Sequence, residues 1–451
     1  MPAITATDRA GVAWRDAAPV VASASLLLWP AIWNFYPLVF ADTGTYLSQA
    51  AVGYVGWDRP PFYSLAILPL HLTLTTWPVA VAQALTAAVA VHLLCGLVPS
   101  VSRWRATCVV AVLAVCTSLP FYVSQLMPDV FTGLLVLAIA LPFASGHAPS
   151  FVAVVVTTAL IAFHLSHLPL AAALIAALSL ALRPGWRFVA RATVPVALAA
   201  LACMTVNVAA HGRASIAPYS DVFLLARLLT EGPAMRTLAR DCPQMHWRLC
   251  ATLAAPPADS DDFLWRSDSP LAQAGGAKAV ATEATAIVRR TLSAEPTATA
   301  SAAFRNALSQ LRTFDTGDGL QPWPRTVTPW IDRIFPRAEV ARYEQARQQQ
   351  GTLVVPAWLR GLHAVAALVG IAGCLVAVVR APRPLAIVAA AALLALPVNA
   401  TVTGALSHPH DRYQARIVWL PLAVSLAAAP LAVRRRTVVP PGATPAAALA
   451  P

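Results

Sequence analysis

His164-Leu165-Ser166-His167-Leu168-Pro169 interrupts an apolar block that runs from 151 to 182. Read as a turn, it divides the block into two short membrane helices. Read through, it leaves one long helix and reverses the side of everything that follows. The arginines decide, because short Arg-rich loops belong on the cytoplasmic side. With the N-terminus inside and a turn at this break, four groups fall inside: Arg103 and Arg105; Arg183, Arg187 and Arg191; Arg380 and Arg383; and Arg434, Arg435 and Arg436. A single span across 151–182 would put the clusters before and after it on opposite sides, so the turn is the reading adopted.

Composition agrees with a membrane protein. The 451 residues are 58% hydrophobic and 12% charged, against roughly 25% charged in soluble domains. The net charge is +12, and Lys278 is the only lysine. A basic balance can mark nucleic-acid binding, but here most arginines outside the long loop sit in clusters between apolar runs. No nucleic-acid partner is expected. Arg9 and Arg15 before an apolar run, with Ala22-Ser23-Ala24, resemble a signal peptide. The run continues to Val39, however, which makes it an uncleaved anchor.

Apolar runs near bilayer length predict about ten spans: 17–39, 77–98, 106–124, 129–145, 151–165, 168–182, 192–210, 357–379, 385–406 and 417–433. The expected fold is an all-α polytopic membrane protein with a small, mostly helical periplasmic cap. Its parts are a cytoplasmic tail 1–16, an N-terminal membrane module 17–210, a periplasmic segment 211–356, a C-terminal module 357–433 and a disordered cytoplasmic tail 434–451. Residues 42–76 are read as interfacial helices. This places the chain in a bacterial-type inner membrane with both termini cytoplasmic. Of seven cysteines, Cys242 and Cys250 lie in the polar segment, where a periplasmic location permits a disulfide.

Outside 211–356 and the N-terminal tail, the acids are Asp42, Asp58, Asp129 and Asp411, all on the outer side in this topology. Arg59, Arg412 and Arg416 share that side. Carboxylates beside guanidiniums at a membrane surface suit a reaction in which a hydroxyl attacks and a phosphate leaves. The carboxylate takes the proton and Arg holds the phosphate bidentately. Each position also has a plainer reading. Asp42 would cap a helix over 43–50, Asp129 would sit in the first turn of a span, and Arg412-Tyr413 would anchor the last span at the interface. His164, His167, His408, His410 and Asp411 would have to converge in space to hold a metal; no ligand spacing links them, and polar interfacial residues are the plainer account. There is no phosphate-binding glycine loop, dinucleotide fingerprint or nucleophile elbow.

Four motifs, in order, resemble those of the GT-C superfamily of polytopic glycosyltransferases, the group of the protein O-mannosyltransferases and lipid A aminoarabinose transferases. They are Ala41-Asp42-Thr43-Gly44-Thr45-Tyr46, Arg59-Pro60-Pro61-Phe62-Tyr63, Met127-Pro128-Asp129-Val130 and Arg412-Tyr413. The resemblance covers 17–210 and 357–433. Asp42 lacks the adjacent second acid of the mannosyltransferases, and a large β-rich outer domain is missing. The resemblance implies inverting transfer of a sugar from a polyprenyl-phosphate donor to an envelope lipid, glycan or protein on the periplasmic face. Asp42 would be the general base with Asp129 assisting, and Arg59, Tyr63, Arg412, Tyr413 and Arg416 would bind substrate. No cofactor is assigned, and a divalent metal is left open. The rival readings are a lipid-linked saccharide flippase and a non-catalytic partner in polysaccharide assembly.

Overall fold

The computed structural model describes residues 6–98, 102–253 and 255–436. The expected tail beyond 436 lies outside the described residues. Among those described, every regular element is a helix, and the only β-type pairing is an isolated bridge between Leu38 and Gln125.

The N-terminal part begins with α1 (Ala6–Leu27), α2 (Trp29–Asn34), α3 (Thr43–Val52), α4 (Phe62–His71), α5 (Trp77–Cys95) and α6 (Arg103–Cys116). It continues with α7 (Leu119–Ser124), α8 (Val130–Ser145), α9 (Phe151–Ala162), α10 (His167–Leu182) and α11 (Trp186–His211). The polar segment holds α12 (Ser220–Thr230), α13 (Pro233–Met245), α14 (Arg248–Thr252), α15 (Ser260–Trp265) and α16 (Pro270–Gln273). After these come α17 (Gly276–Ala294), α18 (Pro296–Arg312), α19 (Thr328–Ile334) and α20 (Arg337–Glu344). The chain ends in α21 (Ala357–Arg380), α22 (Arg383–Leu406), α23 (Asp411–Ala415) and α24 (Leu420–Arg436).

Four of these, α5, α11, α21 and α22, are long and apolar enough to cross a membrane. The remaining expected spans coincide with shorter helices. The first expected span is divided at Leu28, ahead of Pro30 in the first turn of α2. The third is divided at Thr117, whose backbone is extended and whose hydroxyl turns back onto the Leu113 carbonyl at 2.6 Å. A hydropathy window runs across both breaks because the residues on either side stay apolar. The break at 164–169 is real: α9 stops at Ala162 and α10 starts at His167. The His167 imidazole bridges the two helices, with Nδ1 2.7 Å from the Leu160 carbonyl.

The polar segment is not one detached cap. Residues between Tyr219 and Val288 enclose their own apolar core, built on Val222, Leu225, Phe263 and Ile287. Val327, Ile331, Phe335 and Tyr343 instead join the main core of the bundle. Gly44 shows why α3 is held there: a Cβ at this position would overlap the Thr326 carbonyl and stand 2.7 Å from Trp330. Glu339, buried, accepts from the Tyr36 hydroxyl and from the Thr76 backbone N–H at the start of α5. A buried acid must be satisfied in this way or neutralised. The tie fixes α20 against the chain after α2 and the start of α5.

Candidate active site

The chain between α2 and α3 is stitched in place on two sides. Gln348 pairs with Val39 like a missing strand: the Val39 N–H donates to Gln348 Oε1 at 3.0 Å, and Gln348 Nε2 donates to the Val39 carbonyl at 2.7 Å. On the other side the Leu38 N–H donates to the Ser124 carbonyl, and the Leu126 N–H donates back to Leu38. The Thr43 hydroxyl then donates to the Leu126 carbonyl at 3.2 Å. These bonds bring the segment ending at Asp42 against the segment leading to Asp129, 87 positions apart by subtraction of their numbers.

Neither carboxylate caps its helix. Asp42 and Asp129 precede α3 and α8, but neither side chain accepts a helix N–H. Both face guanidiniums instead. Arg59 Nη2 lies 2.7 Å from Asp42 Oδ2, and Arg412 Nη2 lies 3.4 Å from the same oxygen. Arg412 Nη2 is also 3.8 Å from Asp129 Oδ2, so it spans the two acids. Arg416 Nη1 donates to Asp129 Oδ1 at 3.0 Å, and its Nη2 donates to Ser166 Oγ at 3.0 Å and Asn399 Oδ1 at 3.3 Å. The plainer readings of Asp42 and Asp129 as caps are thereby displaced.

The cluster has a floor and a rim. The side chains of Arg416 and Asp129 are 0% and 1% exposed, whereas those of Arg412, Asp42 and Arg59 are 8%, 11% and 16% exposed. Asp42 and Arg59 therefore form the more exposed edge of the cluster. Three guanidiniums are joined by ion pairs to two carboxylates, with the Asp58 carboxyl beside Arg59 and Asp318 accepting from the Arg412 backbone N–H. The Nε–H groups of Arg59, Arg412 and Arg416 are buried without a hydrogen-bond partner, as is Asp129 Oδ2. Buried unpaired donors are costly, and an anion is one group that satisfies guanidinium donors.

Burial works to raise the Asp42 carboxyl, but the guanidiniums of Arg59 and Arg412 outweigh it and hold it below the ordinary carboxylate value. Burial pushes the neighbouring Asp58 carboxyl up in spite of Arg59. Arg412 also stacks on Phe40, its Cζ 3.9 Å from the ring centroid, while Tyr413 lies under both Arg412 and Arg416 at 5.3 and 5.4 Å. These cation–π contacts leave guanidinium edges for hydrogen bonding.

Tyr63 falls elsewhere. Its hydroxyl donates to Gln83 Oε1 at 2.7 Å and its ring packs on Tyr46, Phe131 and Phe163. It is a core residue with its one donor already spent. The residue beside the charges is Tyr46, whose buried hydroxyl has no partner. Tyr46, Ser166 and Asn399 complete the cluster, and sequence reasoning gave none of them a role in it.

The five metal candidates do not gather. His164 Nδ1 is 2.8 Å from Ser166 Oγ, and His167 Nε2 is 2.8 Å from Thr132 Oγ1. His410 lies 3.6 Å from Asp261, and burial lowers its pKa, so that contact is not an ion pair at neutral pH. His408 meets the His410 ring edge-on, and Asp411 Oδ1 accepts from the Asp315 N–H. Among the described residues no group of three or more His, Cys, Asp or Glu side chains is arranged to hold a metal. The Cys242 and Cys250 sulfurs are at bonding distance, 2.10 Å. No protein-family model, curated protein or solved structure matches this chain.

Proposed function

We propose that the chain is a multi-pass inner-membrane glycosyltransferase of the GT-C kind. It moves a sugar, with inversion, from a polyprenyl-phosphate donor to a cell-envelope acceptor on the periplasmic face. The observation that carries this reading is the set of three guanidiniums on two carboxylates, assembled from separate parts of the chain, with Asp42 at its accessible edge. About ten crossings, counting the short apolar helices, keep the arginine clusters inside and this cluster outside.

In the proposed step the acceptor hydroxyl gives its proton to Asp42, and its oxygen forms a bond to the anomeric carbon. The bond from that carbon to the phosphate oxygen breaks. Polyprenyl phosphate leaves with one more negative charge than it carried in the donor. Arg59 and Arg412 meet that added charge, which is the kind of electrostatic help worth about 10²–10³ in rate per donor. Asp42, held ionised, has its acceptor oxygen ready at neutral pH. Asp129 and Arg416 position Arg412 from below. Tyr46 adds a donor beside the carboxylates.

One observation favours a flippase as the second reading. Arg416, Asp129 and Asn399 are ionisable and polar groups enclosed inside the bundle, which is common along transport paths. Binding separates the arginines' role from simple packing. Polyprenyl phosphate should bind the purified protein in nanodiscs, and Arg59→Gln with Arg412→Gln should weaken it about 10²-fold or more. Equal binding by the wild type and the double variant would remove the phosphate from this site.

A further inference from the structure

A polar cavity, of about 200 Å³, opens at the N-terminal end of α21. That is about the volume of six or seven waters. Its walls are Arg312, Phe314, Asp315, Arg360, Ala364 and Asp411. Two guanidiniums and two carboxylates line it.

Its charges are not all used up internally. Arg360 Nη1 donates to Asp315 Oδ2 at 2.7 Å, and Asp315 Oδ1 accepts from the Thr316 N–H at 2.8 Å. Asp315 is thus committed. Arg312 makes no ion pair among the described residues. Asp411 accepts from the Asp315 N–H through Oδ1, which leaves Oδ2 for a further donor. Burial and the nearby Asp318 and Asp315 carboxylates push the Asp411 carboxyl up, against the opposing Asp315 N–H. A cation beside it would relieve that repulsion.

The surroundings set the depth. α21 is long and apolar enough to cross a membrane. Trp358 is 68% exposed, and Val365, Leu368 and Val369 are also exposed along the same helix. Apolar surface of that extent on a membrane helix meets acyl chains, and a Trp at its end marks the headgroup level.

We infer that this cavity binds the headgroup of a zwitterionic aminophospholipid, with phosphate on Arg312 and Arg360 and the ammonium on Asp411. An anionic headgroup without an amine would leave the Asp411 carboxylate facing its phosphate with no cation of its own. A choline headgroup has no N–H to give to Asp411. The inference stands whether or not the chain transfers sugar.

Native mass spectrometry of the full-length protein in detergent, titrated with single lipids, tests it. Phosphatidylethanolamine should be retained about tenfold more tightly than phosphatidylglycerol or phosphatidylcholine. Arg312→Gln should weaken phosphatidylethanolamine by about tenfold. That side chain is exposed and unpaired, so the variant keeps its fold. Asp411→Asn preserves the acceptor for Asp315 and should abolish the preference over phosphatidylcholine. Equal retention of the three lipids, or wild-type retention by both variants, overturns the site. Soluble phosphoethanolamine binding as tightly as the lipid overturns the membrane source and assigns the cavity to a free aminophosphate.

Discussion

Replacing Arg416 by Gln probes the floor of the cluster without touching its rim. In the native protein the Arg416 guanidinium is 3.0 Å from Asp129 Oδ1, and the two side chains are 0% and 1% exposed. Unit charges at that separation attract by about 5–6 kcal/mol at an effective dielectric near 20. Desolvation of both ions offsets much of this, so the pair's net worth is smaller. Its rupture is another matter. Arg416→Gln leaves Asp129 buried with only Arg412 Nη2, at 3.8 Å, and losing one partner of a buried pair costs about 3–5 kcal/mol. Asp129→Asn should cost a similar amount, since it strands Arg416. The double variant Arg416→Gln/Asp129→Asn strands neither, and should lie within about 2 kcal/mol of either single one. Denaturant unfolding of the micellar protein, followed by helical circular dichroism, gives the cycle. The reasoning fails if the two single costs add in the double variant, or if each falls below about 1 kcal/mol.

Two further outcomes follow from the rim and the polar segment. Because the folded-state pKa of Asp42 lies below its unfolded value, its contribution to stability is present above about pH 4 and is lost as pH falls through the lowered folded value. A pH profile of transfer should therefore show no acid limb from Asp42 between about pH 5 and 7, and an Asp42-dependent limb in that window would contradict the ionised base. Cys242→Ser with Cys250→Ser opens a short loop and should cost about 2–3 kcal/mol in the unit around Phe263. Thiol alkylation of intact cells should leave both cysteines unlabelled until reductant is added, and labelling without reductant would place the segment in a reducing compartment.

Much of the site was legible because charge is scarce in this chain. Four acids outside the polar segment and the N-terminal tail leave few ways to pair them. Asp42 and Asp129 could be singled out by cost alone, since an acid at the end of an apolar run needs a partner. The break at His164 was legible from polar residues and a proline in an otherwise unbroken apolar block. Which arginine meets which acid was not. Arg59 is adjacent to Asp58 in the chain, yet it reaches Asp42 at 2.7 Å, because the α2–α3 segment is pinned by Gln348 and Leu126. Tyr63 carried a motif but is consumed by Gln83, while Tyr46, in the neighbouring motif, stands by the charges. Ser166 and Asn399 gave no signal of their partner, since a hydroxyl or amide in an apolar run more often satisfies its own backbone. The divided first and third spans escaped hydropathy, which averages over the local backbone turns at Leu28 and Thr117.

The central claim is that Asp42 takes a proton during sugar transfer at the outer face. The direct measurement is the envelope glycan profile of a deletion strain complemented with wild type or with Asp42→Asn, alongside membrane levels of each protein. The account predicts that deletion removes a sugar from an envelope glycan or lipid and that wild type restores it. Asp42→Asn, inserted at wild-type level, should restore less than about one part in 10². Full restoration by Asp42→Asn, or an unchanged glycan profile on deletion, would contradict it.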